Sequence, residues 1–166
     1  MGKWTQEAET ILQERFGKDS VIALATMEDG KPWVRNVNAF YEDGAFYVIT
    51  YGLSNKMRQL AKNPEAAIAG DWFTAQGCGV DMGYFGREEN REMAQKLRQA
   101  FAAWIDNGHN DFQDVNTRIL RIALRQGCLL SHGKRYDIAF DQKDFSWKRV
   151  PGTAQIFIIM GGSRDV

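Results

Sequence analysis

Residues 21–70, VIALATMEDGKPWVRNVNAFYEDGAFYVITYGLSNKMRQLAKNPEAAIAG, decide how the chain folds. The apolar run at 21–26 stops at Asp29-Gly30. A second extended run at 32–41 stops at Asp43-Gly44, and 45–51 is rich in aromatic and β-branched residues. Asp-Gly between such runs signals a hairpin, because the turn that matches strand twist needs φ > 0 at its central residues. Three consecutive antiparallel strands follow. Gly52 and Leu53 then lead to Ser54, a suitable N-cap, and to a helix reaching Lys62. Met57, Leu60 and Ala61 lie on one side of that helix, and Asn63-Pro64 ends it.

The junction between the third strand and this helix is predicted to attract an anion. The first N–H groups of a helix lack intrahelical partners and sit at the positive end of its dipole. Lys56, in the first turn, is unfavourable against that dipole unless an anion lies between them. Folding the second hairpin about Asp43-Gly44 sets Arg35 roughly opposite Tyr51 and Gly52, so that Arg35, Thr50, Ser54 and Lys56 converge. The competing reading is that Arg35 and Lys56 are ordinary solvated surface cations.

A chain of 166 residues suits a single domain, 1–166, which buries about 70% of its unfolded surface. Its 21 Lys and Arg balance 21 Asp and Glu, so the overall charge favours neither nucleic acid nor an anionic membrane as partner. No apolar run approaches the length of a membrane span, and MGKWTQEAETIL lacks the apolar core of a secretory signal. Cys78 and Cys128 have no metal spacing. A soluble cytoplasmic protein with reduced thiols and no metal is expected.

Outside the deciding stretch, Ala8, Ile11, Leu12 and Phe16 recur at helical spacing over 5–16. The first strand is apolar on both faces, which requires a cover on each side, the second being a helix or a partner chain. Strands are expected at 65–73, 77–85, 118–125, 128–131, 136–140 and 155–160, and a long helix at 87–105. That helix carries an apolar stripe of Met93, Leu97, Ala100, Phe101 and Trp104. Gly77, Gly79 and Gly83 follow G-x-G-x-x-x-G without alternating strands and helices, so they are not a dinucleotide fingerprint. Close packing or a strand bend explains them. Asn36 and Asn38 share one face of the second strand, where an amide needs partners from a polar ring system or from neighbouring loops.

Arg35-Asn36-Val37 on strand two, Val48-Ile49-Thr50 on strand three and Ser54-Asn55-Lys56 at the helix start resemble the pyridoxamine 5'-phosphate oxidase-like flavin-binding split barrels. Arg58-Gln59-Leu60-Ala61 and Asn63-Pro64-Glu65-Ala66-Ala67 continue the likeness. The second half, with CGVDMGYFGREENREMAQKLRQAFAAWIDNGH and LLSHGKRYDIAF, is similar to the general stress protein branch. This resemblance implies a mainly β fold with flanking helices: a six-stranded antiparallel, Greek-key-like split barrel. It also implies a homodimer with FMN in the interface. Arg35, Ser54, Asn55 and Lys56 would hold the phosphate, while Asn36, Val37, Ile49, Thr50 and Tyr51 would border the ribityl chain and ring.

The implied activity is an FMN-dependent oxidoreductase acting on a small molecule. The alternative is a non-catalytic flavin- or haem-binding stress protein, and a deazaflavin is a further cofactor the barrel could take. Phe40 stands where the oxidases carry a lysine for the substrate phosphate, which implies a less charged substrate and not a true pyridoxamine 5'-phosphate oxidase. Gln76, His132, Arg135, Trp147 and Arg149 are further candidates for the flavin. A hydrogen-bonded turn is the plainer reading for His132 and Arg135.

Overall fold

The computed structural model describes residues 3–140. Side-chain alternation builds its sheet. In β1 (Ser20–Glu28) Ile22, Leu24 and Thr26 are buried, whereas Val21 on the other face is 60% exposed. β1 turns through Asp29-Gly30, at φ values of 51° and 73°, and pairs with β2 (Lys31–Glu42) over nine residue pairs. β2 turns through Asp43-Gly44, at 46° and 76°, into β3 (Ala45–Tyr51). Both Asp-Gly turns therefore adopt the left-handed backbone that their residues favour.

With β4 (Glu65–Gly70), β5 (Phe73–Tyr84), β6 (Thr117–Ser131) and β7 (Lys134–Ala139), the strand order is β3-β2-β1-β4-β5-β6-β7. Pairing of β3 with β6 closes six antiparallel strands into a barrel. β7 lies beyond β3 on the far half of β6. The fold is the mainly β split barrel that the family resemblance implies.

α1 (Lys3–Phe16) inserts Ala8, Leu12 and Phe16 into the barrel core beside Ile22, Leu24 and Phe46, with the Phe16 and Phe46 rings edge to face at 5.4 Å. α2 (Asn55–Lys62) adds Met57 and Leu60 to the same core. α3 (Arg91–Ala100) packs outside the barrel, where Ala94, Leu97 and Phe101 bury Phe40, Ala45, Tyr47 and Ile119. Phe40 is thus a core residue beneath α3, so the idea that it faces a substrate is withdrawn.

Three boundaries differ from expectation. The strands expected at 65–73 and 77–85 divide instead at Asp71-Trp72, both at positive φ (42° and 59°), which places Phe73 and Gln76 inside β5. Asp71 suits such a turn, but the tryptophan after it replaces the glycine that marks the two earlier hairpins, so the Asp-Gly signature is missing. The strands expected at 118–125 and 128–131 are one strand, β6. It passes a register shift opposite Gln76 and Gly77, with Gln76 paired to Gln126 and Gly77 to Leu124. Arg125 is the inserted residue, and it reaches Glu65. The helix expected over 87–105 is shortened to α3 after one 3-10 turn at Glu88–Asn90. Buried Asn90 donates its amide to the carbonyls of Met82 and Tyr84, pinning the helix entry to the end of β5. The strand expected at 155–160 lies outside the described residues.

Gly77 illustrates why glycines recur in β5. A Cβ there would lie 2.0 Å from the Ala123 carbonyl oxygen, a backbone atom held in the β5–β6 ladder. Gly77→Ala is expected to destabilise the protein by about 1–3 kcal/mol, the usual range for overpacking, as read by the urea unfolding midpoint. An unchanged midpoint would show that β5 and β6 separate freely at this shift.

Candidate functional site

β2 and β3 pair at only three positions next to their turn: Phe40 with Tyr47, Tyr41 with Phe46 and Glu42 with Ala45. Beyond these, β2 follows β1, and β3 follows β6 over seven pairs. The strands therefore splay apart. Across the gap, the facing backbone edges of residues 35–38 and 49–51 have no strand partner among the described residues. Arg35 consequently does not stand in a ladder opposite Tyr51 and Gly52, as a simple extension of the hairpin predicts. It pairs with Leu24 of β1, and its side chain reaches the site across the open end of the barrel.

The Arg35 guanidinium is held by neutral groups. Its Nη1 donates to Thr26 Oγ1 at 2.6 Å and to the Leu24 carbonyl at 3.3 Å, and its Nη2 donates to Gln59 Oε1 at 2.8 Å. No carboxylate pairs with it among the described residues, and burial lowers its pKa without discharging so strong a base. Lys56 lies in the first turn of α2, half-buried and likewise without an ion pair among the described residues. Its pKa is lowered, first by burial and then by the charge of Arg35. Two cations thus stand within electrostatic reach of one another with no anion to offset them.

Two hydroxyls complete the site. Thr50, at the end of β3, is buried, and among the described residues its Oγ1 has no hydrogen-bond partner; nor has the buried Ser54 Oγ. Ser54 occupies the N-cap position of α2 with extended backbone angles (φ −69°, ψ 159°), yet its side chain does not cap the helix. That corrects the expectation of an ordinary N-cap. A buried, unpaired hydroxyl costs about 1–3 kcal/mol unless something else accepts its proton. Donors unused among the described residues therefore lie along the end of β3 and the start of α2, and their chemistry suits an oxyanion.

The other predicted residues divide between faces. Val37 packs on the barrel core, and Ile49 packs towards α3, away from the Thr50 side of β3. Asn36 is exposed on the face of β2 opposite to Arg35, because successive strand residues point to opposite sides. Tyr51 is 52% exposed, and Asn55, also exposed, accepts a 3.4 Å hydrogen bond from Arg58 Nη2. Asn38 is taken by a neighbouring loop: its amide donates to Asp19, which also accepts from Trp104 Nε1 at 2.7 Å.

Gln76 accepts from Gln126 at 3.0 Å on the exposed face of β5. His132 sits in the β6–β7 turn at φ 50° with Nδ1 2.8 Å from Ser131 Oγ, and Arg135 pairs with Asp137. Both match the plainer reading of a hydrogen-bonded turn. Trp147 and Arg149 lie outside the described residues.

The residues that sequence reasoning missed are Thr26, Glu28 and Gln59. The available signal was a glutamine one turn after Lys56 on the inward side of α2, a polar group where burial requires a partner. A groove lined by Glu9, Gln13, Glu14, Glu42 and Asp43 repels anions and is no rival site. Among the described residues there is no group of acidic, His and Cys side chains that could hold a metal, and no helix is long and apolar enough to cross a membrane.

Fold and site together define a split barrel with two cations, uncompensated among the described residues, near the point where two strands part. A family model for pyridoxamine 5'-phosphate oxidase matches residues 5–129, and the chain belongs to that family. Solved structures share the fold. General Stress Protein 26 from Bacillus anthracis superposes with a TM-score of 0.56 at 16% identity, over 73% of this chain and 92% of that one. A FAD-binding protein from Mesorhizobium loti gives 0.54 at 17%, over 71% and 90%. A heme binding protein from Mycobacterium smegmatis gives 0.61 at 18%, over 84% and 59%. No curated protein matches the chain.

Lys56→Met removes one of two mutually repelling cations and is expected to raise the unfolding midpoint of the ligand-free protein. The sign follows from linkage. With its folded pKa below the ordinary 10.5, Lys56 binds its proton less tightly in the folded state, so protonation destabilises the fold. Wild-type stability should therefore gain from Lys56 as pH rises from the lowered pKa towards 10.5, and Lys56→Met should lack that gain. A lower midpoint in the variant at neutral pH would mean that Lys56 has a stabilising partner.

Proposed function

We propose that the protein binds FMN and serves as an FMN-dependent oxidoreductase for a small molecule. One observation carries this reading: Arg35 and Lys56 lie within electrostatic reach of each other with no carboxylate partner among the described residues, and the Thr50 and Ser54 hydroxyls, unpaired among the same residues, lie on the β3–α2 segment that leads into Lys56. A terminal phosphate supplies two negative charges and three acceptor oxygens, which matches two cations, two hydroxyls and the first N–H groups of α2. The unpaired edges of residues 35–38 and 49–51 offer backbone donors and acceptors to a planar ring with polar margins. Val37, Tyr51, and Asn36 through its backbone, border that gap, and Asn55 stands beside the phosphate end.

When bound, the flavin would supply the redox chemistry. The chain would contribute position, exclusion of water and hydrogen bonds to the ring. Family membership and the FAD-binding relative support the flavin class, and the heme-binding relative motivates the second reading, a non-catalytic haem- or flavin-binding stress protein. A haem presents carboxylates where FMN presents phosphate, so affinity for the phosphate itself separates the two. Lys56→Ala should weaken FMN roughly ten- to hundredfold, the equivalent of one charge-assisted hydrogen bond, and should leave riboflavin nearly unchanged. Equal losses for both ligands, or a colourless protein indifferent to added FMN in its visible spectrum, would refute the assignment. Bleaching of the flavin by NAD(P)H would then distinguish an enzyme from a storage protein.

The barrel would act as a homodimer. Val21 and Val34, 60% and 70% exposed, flank Ala23 and Ala25 on the outer face of the β1–β2 ladder, a surface that a second copy could cover. Val34→Glu is expected to shift the protein towards monomer in sedimentation and to weaken FMN with it. An unchanged dimer would place the contact elsewhere.

The vitamin B6 substrate itself is not favoured. Position 40 is buried under α3, so it supplies no cation to a substrate phosphate. Hydrogen peroxide release with pyridoxamine 5'-phosphate should be negligible.

A further inference from the structure

We propose that Gln59 and Glu28 are positioning residues that aim the free edge of Arg35 into the anion pocket, an inference that rests on the phosphate-binding reading above. The geometry begins with a pair of acceptors. Thr26 donates its hydroxyl to Gln59 Oε1 at 2.6 Å, which brings the two oxygens side by side. These same oxygens accept from Nη1 and Nη2 of Arg35. Two neighbouring neutral oxygens thus occupy the end of the guanidinium, the place where a carboxylate usually sits. Thr26 and Gln59 are both fully buried, so water does not compete for these bonds.

Arg35 has five N–H donors in one plane. Three are engaged: both on Nη1, by Thr26 and the Leu24 carbonyl, and one on Nη2, by Gln59. The two that remain, on Nε and Nη2, form the side edge of the guanidinium, and a fork of this kind accepts a phosphate or carboxylate through two parallel bonds. Because the acceptors that hold the other edge carry no charge, the full positive charge stays available to a ligand.

Glu28 determines which way the Gln59 amide faces. Gln59 Nε2 donates to Glu28 Oε2 at 3.1 Å, and an ionised carboxylate only accepts, so the amide nitrogen must point to Glu28 and the amide oxygen to Arg35. Arg58 in turn holds Glu28 through an ion pair, and both interactions keep the Glu28 carboxyl ionised below its ordinary range. A Gln59 amide turned the other way would set its NH2 group against the guanidinium, donor against donor. The chain Arg58, Glu28, Gln59, Arg35 therefore converts a surface ion pair into the orientation of a buried cation.

The test compares FMN with riboflavin, which lacks the phosphate, in wild type, Gln59→Met, Arg35→Met and the double variant. Gln59→Met is expected to reduce FMN affinity about tenfold and leave riboflavin unchanged. In the Arg35→Met background the same substitution should have no further effect, because Gln59 acts only through Arg35. A purely structural role would weaken both ligands alike and add independently of Arg35, and that result would overturn the proposal. If Gln59→Met does not fold, Glu28→Ala, which alters a partly exposed side chain and removes the acceptor that anchors the Gln59 amide nitrogen, should give a smaller loss with the same selectivity for FMN; retention of full FMN selectivity would overturn the proposal. A wild-type protein that binds FMN and riboflavin equally would instead overturn the phosphate reading, and the positioning role with it.

Discussion

Two like charges within electrostatic reach of each other, with no carboxylate partner among the described residues, are the feature on which the rest of the site depends. In most proteins a half-buried Arg and Lys at this separation would recruit an aspartate or glutamate, since a buried charge is tolerated only when paired. Among the described residues the partners are a threonine hydroxyl, a backbone carbonyl and a glutamine oxygen for Arg35, while Lys56 has no ion pair and feels repulsion from Arg35. The stability that a carboxylate would add is absent, and the pocket is left complementary to an anion from outside.

That arrangement depends on the barrel splitting. If β2 and β3 stayed paired beyond Glu42, the edge at residues 35–38 would be occupied and Arg35 would be locked in a two-sided ladder. Instead β1 holds β2 from Lys31 to Ala39 and β6 holds β3, so the strands diverge under the curvature that each longer ladder imposes. α2 begins where β3 ends and brings Ser54, Lys56 and Gln59 to the opening. The backbone that would close an ordinary sheet is thereby left facing a gap with fixed donors at its mouth. Such preorganisation lets a ligand bind with little rearrangement of the protein.

The two cores serve this geometry differently. The barrel interior, plugged by α1 and α2, fixes Thr26 and Gln59 by burial. The second core, under α3, stiffens β3 from outside through Tyr47 and Ile119 and removes Phe40 from any role at the opening. A single alternation along β2 and β3 thus assigns one set of residues to the site and its neighbours to the scaffold. This is why Ile49 and Thr50, adjacent in the chain, belong to different parts of the molecule.

The sequence alone determined the features that local chemistry controls. These are the three-strand run set by two Asp-Gly turns and the α2 start at Ser54; the barrel class came through the family resemblance of the same stretch. It did not reveal Asp71-Trp72 as a turn: Asp71 tolerates positive φ as Asp29 and Asp43 do, but a tryptophan follows it where those two are followed by glycine. Nor could it join the two halves of β6, since the shift at Arg125 exists only against Gly77 of a distant strand. Whether the Ser54 hydroxyl caps its helix or points unpaired into a pocket was likewise a tertiary decision. The same holds for the Gln59 amide, whose direction is set by Glu28 from 31 residues away. Turns and alternation follow from interactions between near neighbours in the chain, whereas the aim of a buried side chain depends on which distant donors and acceptors the closed barrel brings to it.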